Sequence, residues 1–446
     1  MAYRVLLFAC GTTALLLPGA AAAQNSPSVE EIRASITALE AENERRIEAM
    51  RAETAAKVGA LRAALDRIQP NPGAPATPLA IAAAGTPSSL QPRATGENAA
   101  ISAIRTAVSA LQLSGDARIR YAQNRGDSRR ERGRGVVRAR LRATYAIDPT
   151  FSVGARLVTG DPDDPNTADV TLTQFDDDLQ VGLDQLFAKV HLGALDLYGG
   201  KFDNPFNRTD LVWDGDVNPQ GLAATYSQPL GTAFKLRASS LYFLIDESAA
   251  TRDSAMFGGQ LGIMGKIAPN WGVELAGSYY DYTLPLLIGA DAGDFRSNVL
   301  DAGNRYRSDF NLLDVVASVT FDGLGPKLPV RLVGDFVHNY GAAVAGDEGF
   351  GADIFVGRAS ETGDWRLQYG YAEMGVDGVL AAFSHDNTDL ATNYLQHTGA
   401  IDYVPAAHVV LNATYYHYRL KDPLYPGALP PGRWSNRLRI NLMYAF

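Results

Sequence analysis

From Gly115 onward, apolar and polar residues alternate in successive runs, and the breaks between runs are by turns short and long. Short breaks are DPT at 148–150, LGT at 230–232, PNW at 269–271, ETGD at 361–364 and VPAA at 404–407. Long polar ones cover 160–184, 203–219, 284–308, 376–391 and 421–433. A period of two gives each strand one apolar and one polar face. Strands closed into a membrane barrel, with tight turns at one rim and long loops at the other, produce this rhythm. The runs number about sixteen, an even count that returns both chain ends to the short-turn rim. The expected fold is an all-β transmembrane barrel of about sixteen antiparallel strands.

The alternation names the lipid-facing residues. Val137, Ala139, Leu141, Ala143 and Tyr145 share one face, and Phe151, Val153, Ala155 and Leu157 the next. Trp271, Val273, Leu275, Gly277 and Tyr279 repeat the pattern, as do Trp365, Leu367, Tyr369 and Tyr371. Trp271 and Trp365 open their strands beside short turns, where an interfacial aromatic girdle belongs. A soluble β-sandwich also alternates, but it needs neither so many long strands nor aromatics at both strand ends.

The ends of the chain fix the compartment. Arg4 precedes the apolar run Val5 to Leu17, which Pro18 and Gly19 break before the small residues Ala20 to Ala23. This reads as a signal peptide over 1–23, cleaved before Gln24. The run is too short for a spanning helix, and Leu7, Phe8 and Ala9 make a poor lipoprotein signal before Cys10. Cys10 is the sole cysteine, so the mature chain has no disulfide or thiolate metal site. At the other end, Leu438, Ile440, Leu442, Tyr444 and Phe446 alternate with Arg437, Arg439, Asn441 and Met443. A final strand with Tyr444 and Phe446 at its end is similar to the signal by which outer-membrane insertion machinery recognises its clients. The expected location is thus the outer membrane of a Gram-negative bacterium, in contact with its lipid. A formal net charge of −9 argues against a nucleic-acid partner.

Between leader and barrel, residues 24–68 read as a coiled-coil helix held in the periplasm. Val29, Ile32, Ile36 and Leu39 follow three- and four-residue spacing, and Ile47, Val58, Leu61, Leu65 and Ile68 resume it after a shift. Asn43 continues the first series, where a polar core residue can set register and strand number. Residues 69–112 form a Pro/Ala/Gly-rich linker, ending in a short helix over 98–112 that carries Ile101, Ile104, Val108 and Leu111. The barrel then occupies 113–446.

With apolar residues outward, the polar set must line the lumen. Arg118, Arg120, Arg138, Arg140, Arg142, Arg156 and Lys189 come from early strands. Arg437 and Arg439 come from the last strand, which closure sets beside the first. Acids fall on later strands, at Glu274, Asp314, Asp335, Asp353 and Asp402. Such segregation sets a transverse field across a water-filled pore. The segment from Lys201 to Gly221, after the fifth strand, is the constriction candidate. Asp203, Asp210, Asp214 and Asp216 supply carboxylates, while Phe206, Leu211, Val212 and Trp213 have little use in a loop that only faces water. Folded inward, it sets acids opposite the arginine wall. The acidic loop before it, DPDDPNTADVTLTQFDDD, lacks EF-hand spacing and reads as charge display.

GDARIRYAQNRGDSRRERGRGVVRARLRATYAIDPTFSVGARLVTG resembles the opening hairpins of the putative porin family of Gram-negative bacteria. GGKFDNPF and LVWDGDVNPQGLA resemble that family's following strand and loop. The likeness implies an outer-membrane channel for passive diffusion of small hydrophilic solutes and ions, often with a coiled coil ahead of it. If trimeric, as porins often are, the coiled coil becomes a three-stranded bundle and the protein a homotrimer. Alternatives are a substrate-selective (anion or phosphate) porin, distantly similar in its N-terminal coiled coil, and an envelope-tethering barrel. An enzyme would need a converging acid, base and nucleophile. Ser384, His385 and Asp386 are merely consecutive, and H-E-x-x-H, G-x-S-x-G and P-loop motifs are absent. No enzyme activity, cofactor or metal is expected.

Overall fold

The structure, a computed structural model, describes residues 110–126, 129–160, 167–173, 175, 179–249, 251–285, 297–425 and 429–446. The leader, the coiled coil and most of the linker lie outside the described residues.

Strands run β1 (Leu111–Gly126), β2 (Arg129–Ala146), β3 (Phe151–Thr159), β4 (Val170–Thr171), β5 (Val181–Leu192), β6 (Leu195–Lys201), β7 (Gln220–Leu230) and β8 (Phe234–Asp246). They continue as β9 (Ser254–Ala268), β10 (Trp271–Thr283), β11 (Asn311–Phe321), β12 (Val330–Asn339) and β13 (Glu348–Gly357). β14 (Trp365–Met374), β15 (Tyr394–Ala406), β16 (Val409–Leu420) and β17 (Ser435–Ala445) complete the set. Each long strand pairs antiparallel with its neighbours in sequence, and β1 pairs with β17 to close the barrel. The two-residue β4 takes up β2 where β3 has ended. Setting it aside leaves the sixteen-stranded closed barrel that alternation implied.

β1 begins earlier than expected. Leu111 and Gln112, assigned to the end of a short helix, instead pair with Tyr145 and Thr144 of β2. The apolar spacing of 101–111 suits a helix, but the ladder of β2 extends far enough to capture the last two residues. Short connections lie at 147–150, 193–194, 231–233, 269–270 and 407–408, on the same rim as the start of β1 and the end of β17. Longer ones include 202–219, 284–310, 375–393 and 421–434, on the opposite rim.

Outward positions are apolar and exposed, including Ile119, Leu141, Phe257, Leu261, Leu275, Leu367 and Ile440. Water would penalise such a surface, whereas hydrocarbon accepts it. Aromatic pairs mark the short-turn rim: Trp271 with Phe321 at 4.7 Å, Trp365 with Tyr403 at 4.2 Å, and Tyr444 with Phe446 at 6.1 Å. Phe446 also joins the sheet, exchanging two backbone hydrogen bonds of 3.0 Å with Gly115. A Cβ on Gly115 would stand 2.5 Å from the Arg140 carbonyl oxygen and 2.7 Å from the Phe446 ring, so glycine fits there.

The apolar core lies inside the barrel. Phe202, Phe206, Leu211, Val212 and Trp213 from the 202–219 loop meet Val379, Leu380, Phe383 and Leu390 from the 375–393 loop. Inward residues of the wall, among them Tyr280, Leu312, Val337, Met374 and Tyr394, complete it.

Candidate functional site inside the barrel

Two loops turn inward and divide the interior. Loop 202–219 is pinned along its length by polar side chains from the wall. Gln260 accepts the Asn207 N–H at 2.8 Å and donates to the Asn207 carbonyl at 2.8 Å, imitating a strand partner. Ser239 donates to the Pro205 carbonyl at 3.2 Å, Gln185 donates to Asn218 at 2.5 Å, and Thr209 donates to Asp335. Trp213 is fully buried, stacked on Phe383 at 5.7 Å and edge-on to Tyr280 at 5.6 Å. Beside it the Asp214 N–H donates to the Phe383 carbonyl at 2.8 Å, joining the two loops directly.

Loop 375–393 reads in sequence as a long polar outer loop; here it packs inside. Its apolar residues Val376, Val379, Leu380 and Phe383 are the reason, and Asn298 clamps its backbone at Val376, Val379 and Ala381, each at 2.8–2.9 Å. Asp377 accepts the Ser308 hydroxyl at 2.6 Å and the Val299 N–H at 2.9 Å.

All the expected basic residues face inward, but acids sit on them rather than opposite. Asp169 takes Arg118 and, at 2.5 Å, Arg120. Asp116 takes Arg138 at 2.9 Å and Arg140 at 2.7 Å, while loop residue Asp216 takes the same pair at 3.4 and 2.8 Å. Asp203 reaches Arg142 at 2.6 Å and Arg156 at 3.6 Å, and Asp184 meets Arg156 through Nε at 2.6 Å. Arg437 pairs with Asp389 at 2.5 Å, and Arg439 donates to Asn387 at 2.8 Å. Lys189 stands apart near the turn rim, with Asp196 at 2.8 Å and the Tyr198 ring at 5.4 Å.

The expected acids divide into two groups. Glu274 faces Arg331 at 3.8 Å, Asp402 holds Arg366 and Asn412 at 2.8 Å, and Asp353 accepts Gln368 at 3.0 Å. Asp210 is exposed to the lumen and accepts Asn387 at 3.0 Å. Asp314 and Asp335 lie beneath the loop instead of on open lumen wall, and Asp214 is buried within the loop itself, beside the apolar cluster around Trp213. Burial, with Asp210 and Asp386 adding like charge, pushes the Asp214 carboxyl well above the usual carboxylate range. Asp203 goes the other way. Its partial burial is outweighed by hydrogen bonds from Arg142 and Gln185 and by the Arg142 and Arg156 charges, which hold it below that range.

Sequence reasoning missed Asp116, Asp169, Asp184 and Gln185, although inward alternation marks Asp116 beside Arg118. It also missed Arg134, which lies in β2 at the same parity as Arg138, Arg140 and Arg142. Ser384 and His385 make no triad: Ser384 donates to the Ala391 carbonyl at 2.9 Å, and His385 Nδ1 accepts the Asn387 N–H at 3.2 Å. Among the described residues no cluster of acids, histidines or cysteines is placed to hold a metal ion.

Residues 120–284 match the family model described as putative porin. That segment is similar to the putative porin family. Among solved structures, OprB of Pseudomonas putida is similar at TM-score 0.53 and 13% identity, over 78% of this chain and 97% of that one. Salmonella typhi OmpF is similar at TM-score 0.47 and 12% identity, over 75% and 97%. An anion-selective porin from Comamonas acidovorans is similar at TM-score 0.46 and 12% identity, over 75% and 99%. No curated relative matches the chain. The OprB likeness supports the porin barrel as a fold, and the family match places that barrel in the Gram-negative outer membrane.

Proposed function

We propose that the protein is an outer-membrane porin through which small hydrophilic solutes and ions diffuse, with its constriction formed where loop 202–219 meets the arginine wall. The observation that carries this reading is the inward loop itself. It narrows a barrel whose outer face is apolar, and it brings Asp203 and Asp216 onto Arg138, Arg140, Arg142 and Arg156. Fixed charges at a narrow aqueous passage set ion preference by attraction and by the hydration they replace. The barrel works as a homotrimer, with the coiled coil of 24–68 as a trimerising arm in the periplasm and the final strand as the mark read by insertion machinery.

The test is single-channel conductance with a reversal potential in a salt gradient. We expect ohmic channels of modest conductance and a weak ion preference that moves toward cations when Arg138, Arg140 and Arg142 become alanine. Folded protein with no conductance would sink the channel; an unchanged preference would sink only the arginine wall.

An anion-selective channel is a second reading, favoured by one observation. Arg125, Arg132, Arg134 and Asp389 line a cavity of about 190 Å³, and basic residues outnumber acidic ones on its wall. The same reversal potential separates the readings by its sign.

A further inference from the structure

Between loop 375–393 and the acidic side of the wall lies a cavity of about 230 Å³. No arginine or lysine lines it, whereas the carboxylates of Asp210, Asp335 and Asp353 do. Three of its lining side chains are more than nine-tenths buried and carry polar atoms with no protein partner, Asp335 through Oδ1, His385 and Gln396. His385, 3% exposed, accepts the Asn387 N–H on Nδ1, so its hydrogen sits on Nε2, which meets no acceptor. Burial, with Arg439 and Arg437 adding like charge, holds this imidazole down at about 3, so it stays neutral. Gln396, 8% exposed, donates its amide to Thr398 at 3.1 Å and leaves Oε1 without a donor. Buried polar atoms are rarely left unpaired in native proteins, and a donor and an acceptor lining one cavity suit a guest that supplies both complements. Tyr394 and Tyr416 add aromatic wall.

We propose that this cavity binds small solutes that carry a primary ammonium group and a hydroxyl or carbonyl oxygen. The ammonium donates to Asp353, Asp210 and Gln396 Oε1, the oxygen accepts the His385 Nε2–H, and the tyrosine rings favour the cation. The inference rests on the channel reading and narrows it to a class of solute held during passage. A quaternary ammonium ion lacks the N–H donors, and a neutral diol lacks the charge.

Equilibrium dialysis of radiolabelled ethanolamine against the folded full-length protein in detergent tests the site, alongside conductance of the same preparation. Saturable binding is expected, competed by unlabelled ethanolamine but not by tetramethylammonium or ethylene glycol at equal concentration. Asp353→Asn is expected to weaken it by about tenfold or more, the loss of one charge-assisted hydrogen bond. If Asp353→Asn fails to fold, Gln396→Leu, which removes the free acceptor, is expected to weaken binding as well. Absence of saturable binding, or equal affinity in a folded variant, overturns the site while conducting channels keep the porin reading. Specific binding by protein that never conducts supports the site and overturns the channel.

Discussion

Asp216 is the carboxylate on which two wall arginines converge from the constriction loop. Its replacement by alanine leaves Arg138 and Arg140 with Asp116 alone, at a place where the side chains are largely buried. Removing one partner from such a network costs up to about 3 kcal/mol, and the uncompensated guanidiniums raise the positive potential of the passage. Asp216→Ala is therefore expected to lower the urea midpoint and to shift the reversal potential toward anions. Loss of stability with an unchanged potential would show that these arginines do not govern permeation. Asp214 and Asp203 make a paired pH test. The folded state raises Asp214, so it favours the protonated form, and stability falls as pH rises from the unfolded value near ~3.9 through the raised one. Asp214→Asn should match wild type in acid and exceed it at neutral pH, by roughly 2–4 °C in thermal midpoint. Asp203 is depressed, so its contribution is present above the unfolded value and vanishes as pH falls through the folded one. Asp203→Asn should therefore be the less stable protein at neutral pH and converge with wild type only in strong acid. Thermal scans across pH distinguish the two directions.

At the scale of elements, the two inward loops act as one plug held by Trp213. Trp213→Ala removes the stack on Phe383 and the edge contact with Tyr280, at a cost of about 3–5 kcal/mol. The barrel ladder is untouched, so the expected outcome is larger, noisier conductance and a new protease cut within 202–219, with the barrel itself still resistant. The first loop was legible in the sequence because Trp213, Val212 and Leu211 are out of place in water. The same logic applied to Val376, Val379, Leu380 and Phe383 would have found the second, but the polar residues around them disguised it. Strand faces were legible where lipid on one side and polar interior on the other impose a period of two, but not at the bulge in β5, where Asp184 and Gln185 fall together between exposed Leu183 and Leu186. Pairings such as Asp169 with Arg118, or Asp116 with Arg140, were not. They depend on how far each strand is staggered against the next and on where the loops come to rest.

On the scale of the whole molecule, the proposed trimer separates into barrel and arm. Deleting residues 24–97 is expected to convert trimers to monomers in detergent while leaving the conductance of each barrel unchanged; trimers that survive would assign assembly to the barrel wall instead. Barrel closure carries a further consequence. The bond from Arg120 to Asn441 joins residues 321 positions apart, across the seam where β1 meets β17. Closing so long a loop comes late, because its entropy must be met before the contact rewards it. Until then β1 and β17 each offer a row of unpaired backbone groups to any strand nearby. A mutation that weakens the seam should thus show itself first in cells, as slow maturation and cross-paired aggregates. The molecules that do close would differ little from wild type.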